Sequence, residues 1–209
     1  MKTLILDFKT ARPRELFNAA LAVREGAVAV FPTDTVYGIG TCAYERKSVL
    51  RIYGIKQRDL SKPLPVFSAS LRAAKSVVEI SPKAELLAEK FWPGQLTLIL
   101  PPFPGNEALA LGTTGIGIRV PEHVFLSGWL GVMGKPLAQT SANLSGSPAL
   151  KDERAIIEQF DGLADIIITG GTLAGTESTV LDMTADTPSI LRRGAIAEQE
   201  ILNVLNPRS

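Results

Sequence analysis

Three cations, Lys56, Arg58 and Lys62, stand within seven residues of the segment GIKQRDLSKPLP (54–65), where Asp59 is the one acid among them. Such a run is either a solvated loop or one wall of an anion site, and the other polar segments bear on the choice. Arg119 lies inside the apolar stretch IGIRVP, where an unpaired guanidinium is costly to bury. It must face a cleft, an anion, or water at a sheet edge. Arg192 and Arg193 precede Gly194 in ILRRG. QTSANLSGSP (139–148) offers Ser141, Asn143, Ser145 and Gly146, whose hydroxyl, amide and backbone N–H groups suit phosphate oxygens or a hydrogen-bonded turn. GTESTVLD (175–182) repeats the theme with Ser178 and Thr179 at a strand start. In PTDTVYGIGT (32–41), Thr33 and Thr35 supply hydroxyls, while Gly38 and Gly40 allow either close backbone approach to a ligand or a tight turn. Many cations and hydroxyls with few acids make a polyanion site, where catalysis is positioning and charge neutralisation, as in phosphoryl or nucleotidyl transfer. Asp34 and Asp182 are candidates to help hold magnesium or, equally, ordinary turn and strand residues.

Counts remove the main alternatives. Cys42 is the only cysteine and His123 the only histidine. An internal disulfide framework, a multi-cysteine zinc site, most metallohydrolase sites, Ser-His-Asp triads and Cys-His nucleophile pairs are thereby disfavoured. Cys42 reads as inert core and His123, after Pro121-Glu122, as a helix cap or a surface residue. PTDTVYGIGT matches neither the dinucleotide nor the P-loop glycine pattern. Net charge is +1, with 45% apolar and 21% charged residues, so the chain is globular and nucleic acid is not forced on it as the main partner. No stretch approaches the roughly 20 apolar residues that span a bilayer. The expectation is a soluble, cytoplasmic protein without membrane association.

The elements that must position these residues alternate along the chain. Strands are predicted at 3–8, 27–33, 63–68, 95–102, 116–121, 136–142, 164–171, 178–183 and 189–194. The run AVAVFPT reads as a strand buried on both faces. Helices are predicted at 13–25, with Pro13 in the first turn and Gly26 at the end, and at 45–53, with Val49, Ile52 and Tyr53 on one face. Further helical segments fall at 70–78, 82–92, opened by Ser81-Pro82, 121–132, 151–161 and around Ile201, Leu202 and Leu205. The residues 32–41 and 54–62 are read as loops. Interleaved strands and helices imply an α/β domain, and short Gly/Pro links between some strands imply a mixed sheet.

In this order PTDTVYGIG, KQR…KPL, WPGQLT, IRVP, SANLSG, STVLD and ILRRG resemble the signature series of the YrdC/TsaC family of threonylcarbamoyl-AMP synthases, over residues 14–205. The resemblance implies a twisted mixed sheet, parallel and antiparallel, flanked by helices, in a single domain over 1–209 without the extra C-terminal domain of longer relatives. It implies joining of L-threonine, bicarbonate or CO2 and ATP, with Mg2+ on the nucleotide, to give threonylcarbamoyl-AMP and pyrophosphate. This is the first step towards threonylcarbamoyladenosine in tRNA, and downstream transfer machinery is the implied partner. By the same matching, Lys56 and Arg58 fall on the catalytic positions. Arg58, Lys62, Ser141, Asn143 and Arg192 fall on the ATP side, and Thr35, Arg119 and Ser178 on the threonine side, with Arg119 on the carboxylate.

Several positions depart from the family pattern. Gly115 stands where a threonine is common, which shifts that ATP contact to Thr114. Gln95 and Arg193 stand at usual proline positions, and Phe67 at a frequent histidine, whose role is not carried over. Two other readings use the same basic groove: a double-stranded RNA or tRNA-binding module, and a paralogue without synthase activity. The near-neutral charge and the lack of interleaved basic and aromatic residues speak against the first. The intact small-polar loops speak against the second.

Overall fold

Residue alternation along the strands sorts the core into two layers. In β2 (Ala29–Phe31), Val30 packs into one apolar cluster while Ala29 and Phe31 pack into another. In β8 (Ile166–Thr169), Ile167 and its neighbours Ile166 and Ile168 divide in the same way. A strand buried on both faces needs this period of two and no polar side.

The computed structural model describes residues 2–110 and 113–206. Its centre is one ten-stranded sheet in the order β1-β8-β2-β3-β7-β4-β6-β5-β9-β10. The remaining strands are β1 (Leu4–Asp7), β3 (Gly38–Cys42), β4 (Val66–Phe67), β5 (Leu96–Leu100), β6 (Ile116–Arg119), β7 (Leu137–Ser141), β9 (Thr179–Asp182) and β10 (Ser189–Arg192). Pairings β1/β8, β2/β8, β4/β6 and β5/β9 are parallel, and the others antiparallel. The mixed sheet flanked by helices is therefore as expected.

On one face, α2 (Arg46–Lys56), α4 (Pro82–Phe91), α6 (Glu153–Phe160) and α7 (Glu198–Leu205) press Ile52, Leu87, Phe160 and Ile201 onto the sheet. Each such side chain contributes about 1.5–3 kcal/mol by leaving water. On the other face, α1 (Pro13–Arg24) and α5 (Val124–Met133) cover the half nearest β1 with Ala20, Val23, Leu126 and Trp129. A short α3 (Leu71–Ala74) and a 3-10 turn at Glu107–Ala110 complete the elements. Ser81 caps α4 by accepting from the Ala84 N–H, and Pro13 opens α1, as the sequence predicts. No helix is long and apolar enough to cross a membrane.

Two expectations need correction. The segment 38–42, read as part of a loop, is the strand β3, paired with β2 and β7. Its glycines are there for packing. The Phe31 ring lies where a side chain on Gly38 or Gly40 would stand, and a Cβ on Gly40 would meet the Ala138 carbonyl oxygen at 2.7 Å. Glycines also weaken the strand signal, so the segment is easily read as a turn. The second correction is Lys56, which is the last residue of α2 and lies outside the loop.

Candidate active site

The helices α1 and α5 leave uncovered the sheet half containing β6, β5, β9 and β10, and there the alternation builds a cavity of about 480 Å³. On β5, Leu96, Leu98 and Leu100 point into the core while Thr97 and Ile99 line the cavity. On β6, Ile116 and Ile118 are core while Gly117 and Arg119, with Gly115 just before the strand, face the cavity. On β9, Leu181 is core while Val180 and Asp182 face the cavity. The register of β10 shifts between Ile190 and Arg192, and this bulge lets Leu191 and Arg192 both reach the same cavity.

Of the predicted site residues, Thr35, Arg58, Thr114, Arg119, Ser141, Ser178 and Arg192 line this one cavity. Lys56, Lys62 and Asn143 do not. Lys56 is 1% exposed and donates from Nζ to the carbonyl oxygens of Ser141 and Asn143, the latter at 2.5 Å, and to Asn143 Oδ1 at 3.3 Å. Burial, reinforced by Arg58 and opposed by Glu177, pulls its ammonium down to about 8. Asn143 in turn donates from Nδ2 to the Leu144 and Ser147 carbonyl oxygens, at 2.9 and 2.6 Å. The pair thus fixes the Ser141–Ser147 turn to the end of α2. Lys62 is exposed, and its carbonyl oxygen accepts from Tyr53 Oη at 2.9 Å and Arg58 Nε at 3.0 Å. With a second bond from Nη2 to the Pro63 carbonyl oxygen at 3.2 Å, Arg58 is held against the loop at the cavity wall.

Arg119 is 2% exposed. It forms an ion pair with Asp34, donates from Nε to the Gly94 carbonyl oxygen at 2.6 Å, and lies over the Phe67 ring at 5.6 Å. Phe67, at the position noted for a histidine, therefore packs on the arginine. Asp34 also accepts from the Glu122 N–H at 3.3 Å, and Gln95 Nε2 donates to the Asp34 carbonyl oxygen at 2.8 Å.

The hydroxyl network has a direction. Thr33 Oγ1 spends its one hydrogen on the Val36 carbonyl oxygen at 2.7 Å, so in its 2.9 Å contact with Thr35 the Thr35 hydroxyl must donate. Thr35 therefore presents acceptor lone pairs to the cavity. Ser178 Oγ accepts from Arg192 Nη2 at 3.0 Å and lies 3.0 Å from Thr97 Oγ1.

A Cβ on Gly115 would meet Thr184 Cγ2 at 2.6 Å, Ile99 Cγ2 at 2.8 Å and the Leu100 carbonyl oxygen at 3.0 Å, so a larger residue there forces its neighbours to shift. Thr113 and Thr114 line the cavity beside it. Asp34 does not line the cavity, and Asp182 Oδ1 is engaged by the Thr184 N–H at 2.9 Å and hydroxyl at 2.8 Å. Among the described residues no three His, Cys, Asp or Glu side chains converge as a metal cage, so the protein offers magnesium no ready-made set of carboxylates. His123 caps α5, its Nδ1 accepting from the Leu126 N–H at 3.4 Å, and Cys42 is buried, both as expected.

Sequence reasoning missed Thr97, Gln139 and Glu177, which also line the cavity. For Thr97 a signal existed: it is the one polar residue of the otherwise apolar strand β5.

Comparison with known proteins fits this geometry. The family model for Sua5, YciO and YrdC, described as "Telomere recombination", matches residues 21–194. The chain belongs to the Sua5/YciO/YrdC family. Family relatives include the threonylcarbamoyl-AMP synthase of Pyrococcus abyssi, 38% identical over 90% of this chain and 56% of the relative. That of Bacillus subtilis is 36% identical over 97% of this chain and 60% of the relative. The chain thus spans somewhat more than half the length of these two. A putative threonylcarbamoyl-AMP synthase of Mycobacterium leprae, 34% identical, is matched over 89% of its length. Among solved family structures, P. abyssi Sua5 complexed with L-threonine superposes with a TM-score of 0.89 at 34% identity, covering 98% of this chain and 61% of that one. YciO of E. coli superposes at 0.80 with 28% identity, over 92% and 94%.

Proposed function

We propose that the chain is an L-threonylcarbamoyladenylate synthase, a nucleotidyltransferase that joins L-threonine, bicarbonate or CO2 and ATP and releases pyrophosphate. One observation carries this reading. Seven residues from six separate segments, three of them arginine and four hydroxyl-bearing, meet in one cavity whose fold matches a relative solved with L-threonine.

The chemistry asks little of a nucleophile in the protein. The amine of threonine adds to CO2 and loses a proton, giving a carbamate. A carbamate oxygen then attacks the α-phosphorus of ATP, and pyrophosphate leaves. Both partners are anionic, so cations must offset their repulsion and hold them in line. Arg58, with Ser141, Thr114 and Arg192, forms the nucleotide end. Thr35, Arg119 and Ser178 form the amino-acid end. Thr35, with lone pairs towards the cavity, suits an amine or hydroxyl donor on the substrate. Lys56 and Asn143 act behind the wall as positioning residues for Ser141, and Lys62 supports Arg58 through its carbonyl oxygen. Magnesium would enter on phosphate oxygens of ATP, where it supplies charge neutralisation. The product, an acyl adenylate, has to be consumed by an acyl transfer to tRNA.

An RNA-binding module is less well supported, because two of the cations in the motifs, Lys56 and Arg119, are buried and unavailable to a nucleic-acid backbone. The test is pyrophosphate release by the purified protein with ATP and magnesium. Release is expected only when L-threonine and bicarbonate are both present, and release indifferent to either would overturn the proposal.

A further inference from the structure

Two arginines of the cavity carry a carboxylate partner, and the two pairs differ in kind. Asp34 on Arg119 is buried on both sides, with side-chain exposures of 9% and 3%, and is a fixed support for Arg119 in the wall. Glu177 on Arg192 is open on both sides, at 44% and 45%, with Glu177 Oε2 at 3.2 Å from Arg192 Nη1. An ion pair that stands this far in solvent contributes little to stability and exchanges partners readily.

Arg192 does not depend on Glu177 for its orientation. Its Nε donates to the Ser178 carbonyl oxygen and its Nη2 to Ser178 Oγ, each at 3.0 Å. Two corners of the guanidinium are fixed by Ser178, and only the Nη1 corner carries Glu177. Both residues line the cavity together with Arg58 and Ser141. The Glu177 carboxylate also acts on the buried Lys56 ammonium behind the cavity, where it opposes the effect of burial.

We propose that Glu177 is an internal counter-anion for Arg192: it occupies the Nη1 corner that a phosphate would take, and a bound polyphosphate displaces it, so that Glu177 sets the affinity of the site for nucleotide. The proposal rests on the nucleotide reading of the cavity. In physical terms, the arginine is kept preorganised by Ser178 while its charge is partly cancelled by a removable carboxylate. A phosphate must replace that carboxylate and tolerate it nearby, which weakens binding and favours release of a polyanionic product.

The test is equilibrium binding of ATP and of pyrophosphate, each with EDTA and with magnesium, to the wild-type protein, Glu177→Gln, Arg192→Ala and the double variant. Removing the carboxylate is expected to tighten both probes about two- to fivefold, on the scale of an exposed ion pair. The gain should vanish in the Arg192→Ala background, because the two residues act as one unit. Glu177→Ser should show the same gain, so a folding defect in one variant does not decide the matter. Three outcomes overturn the proposal: unchanged or weaker binding by Glu177→Gln, an equal gain without Arg192, or a loss confined to magnesium samples, which would make Glu177 a metal ligand. Failure of the wild-type protein to bind ATP under any condition would instead overturn the nucleotide reading, and the proposal with it.

Discussion

Asp34 and Arg119, 85 residues apart in the chain, form a buried ion pair at the wall of the cavity, and Gln95 braces the Asp34 loop by donating to its carbonyl oxygen. The pair neutralises a guanidinium that would otherwise be buried as a bare charge, and it fixes the plane of Arg119 against Phe67. Replacing one partner leaves the other uncompensated in a low-dielectric site. Asp34→Asn should therefore lower the unfolding free energy by about 3–5 kcal/mol, read from urea denaturation. A loss below about 1 kcal/mol would put the pair on a par with exposed surface bridges.

Arg58 holds its place through two backbone carbonyl oxygens and keeps its charge at the cavity wall without a carboxylate partner of its own among its hydrogen bonds. Arg58→Ala is expected to reduce kcat/KM for pyrophosphate release by about 10²–10³, the scale of a lost preorganised charge-stabilising donor. Arg58→Lys should recover only part of this, since an ammonium lacks the planar fork that engages the Lys62 and Pro63 oxygens and still presents N–H groups to the cavity. Wild-type turnover in a folded Arg58→Ala protein would remove Arg58 from the chemistry.

Lys56 makes stability depend on alkaline pH. Its ammonium titrates near 8 in the folded protein and near the ordinary lysine value of 10.5 when unfolded. Below about pH 8 both states are charged, and the folded state bears the full cost of the buried charge. Between about 8 and 10.5 the unfolded chain holds the extra proton, so raising pH favours folding. Unfolding free energy measured across that window should rise with pH in the wild-type protein. In Lys56→Met that component of the slope should be missing.

His123 gives the opposite limb. Burial lowers its pKa, with Asp34 opposing, and its Nδ1 caps α5 only while unprotonated. As pH falls through the ordinary histidine value near 6.5, the unfolded chain takes up the proton first, so stability should decline with acidification. His123→Asn keeps a capping acceptor without a titrating ring. Its thermal midpoint should be less sensitive to pH between 7 and 5 than that of the wild-type protein, and equal sensitivity would refute the role.

Local rules made much of the architecture legible. Ser81-Pro82 opens α4, Pro13 opens α1, the apolar run AVAVFPT marks a strand with two buried faces, and ADIIITGG marks a strand. These signals are local because they depend on caps, on φ of proline and on a period of two. The strand Gly38–Cys42 was not legible, because its glycines answer to the Phe31 ring on a neighbouring strand and carry no propensity of their own. Lys56 misled for a related reason. In sequence it belongs with Arg58 and Lys62, yet helical spacing turns it inwards beside Tyr53 and Ile52, where it meets the carbonyl oxygens of a turn 85 residues away.

The sequence by itself determined which residues had chemistry to offer: arginines and hydroxyls at strand ends, one histidine, one cysteine, and strands that alternate polar with apolar. Tertiary structure decided which of them share a cavity. That depends on α1 and α5 covering only half of one sheet face, so that one parity of β5, β6 and β9 is left open while the other is sealed in the core. It decided as well which charges are paired, Arg119 with Asp34 in the wall and Arg192 with Glu177 at the mouth of exchange with solvent. A charge acquires its value from its partner and its burial, and both are set by contacts between segments far apart in the chain.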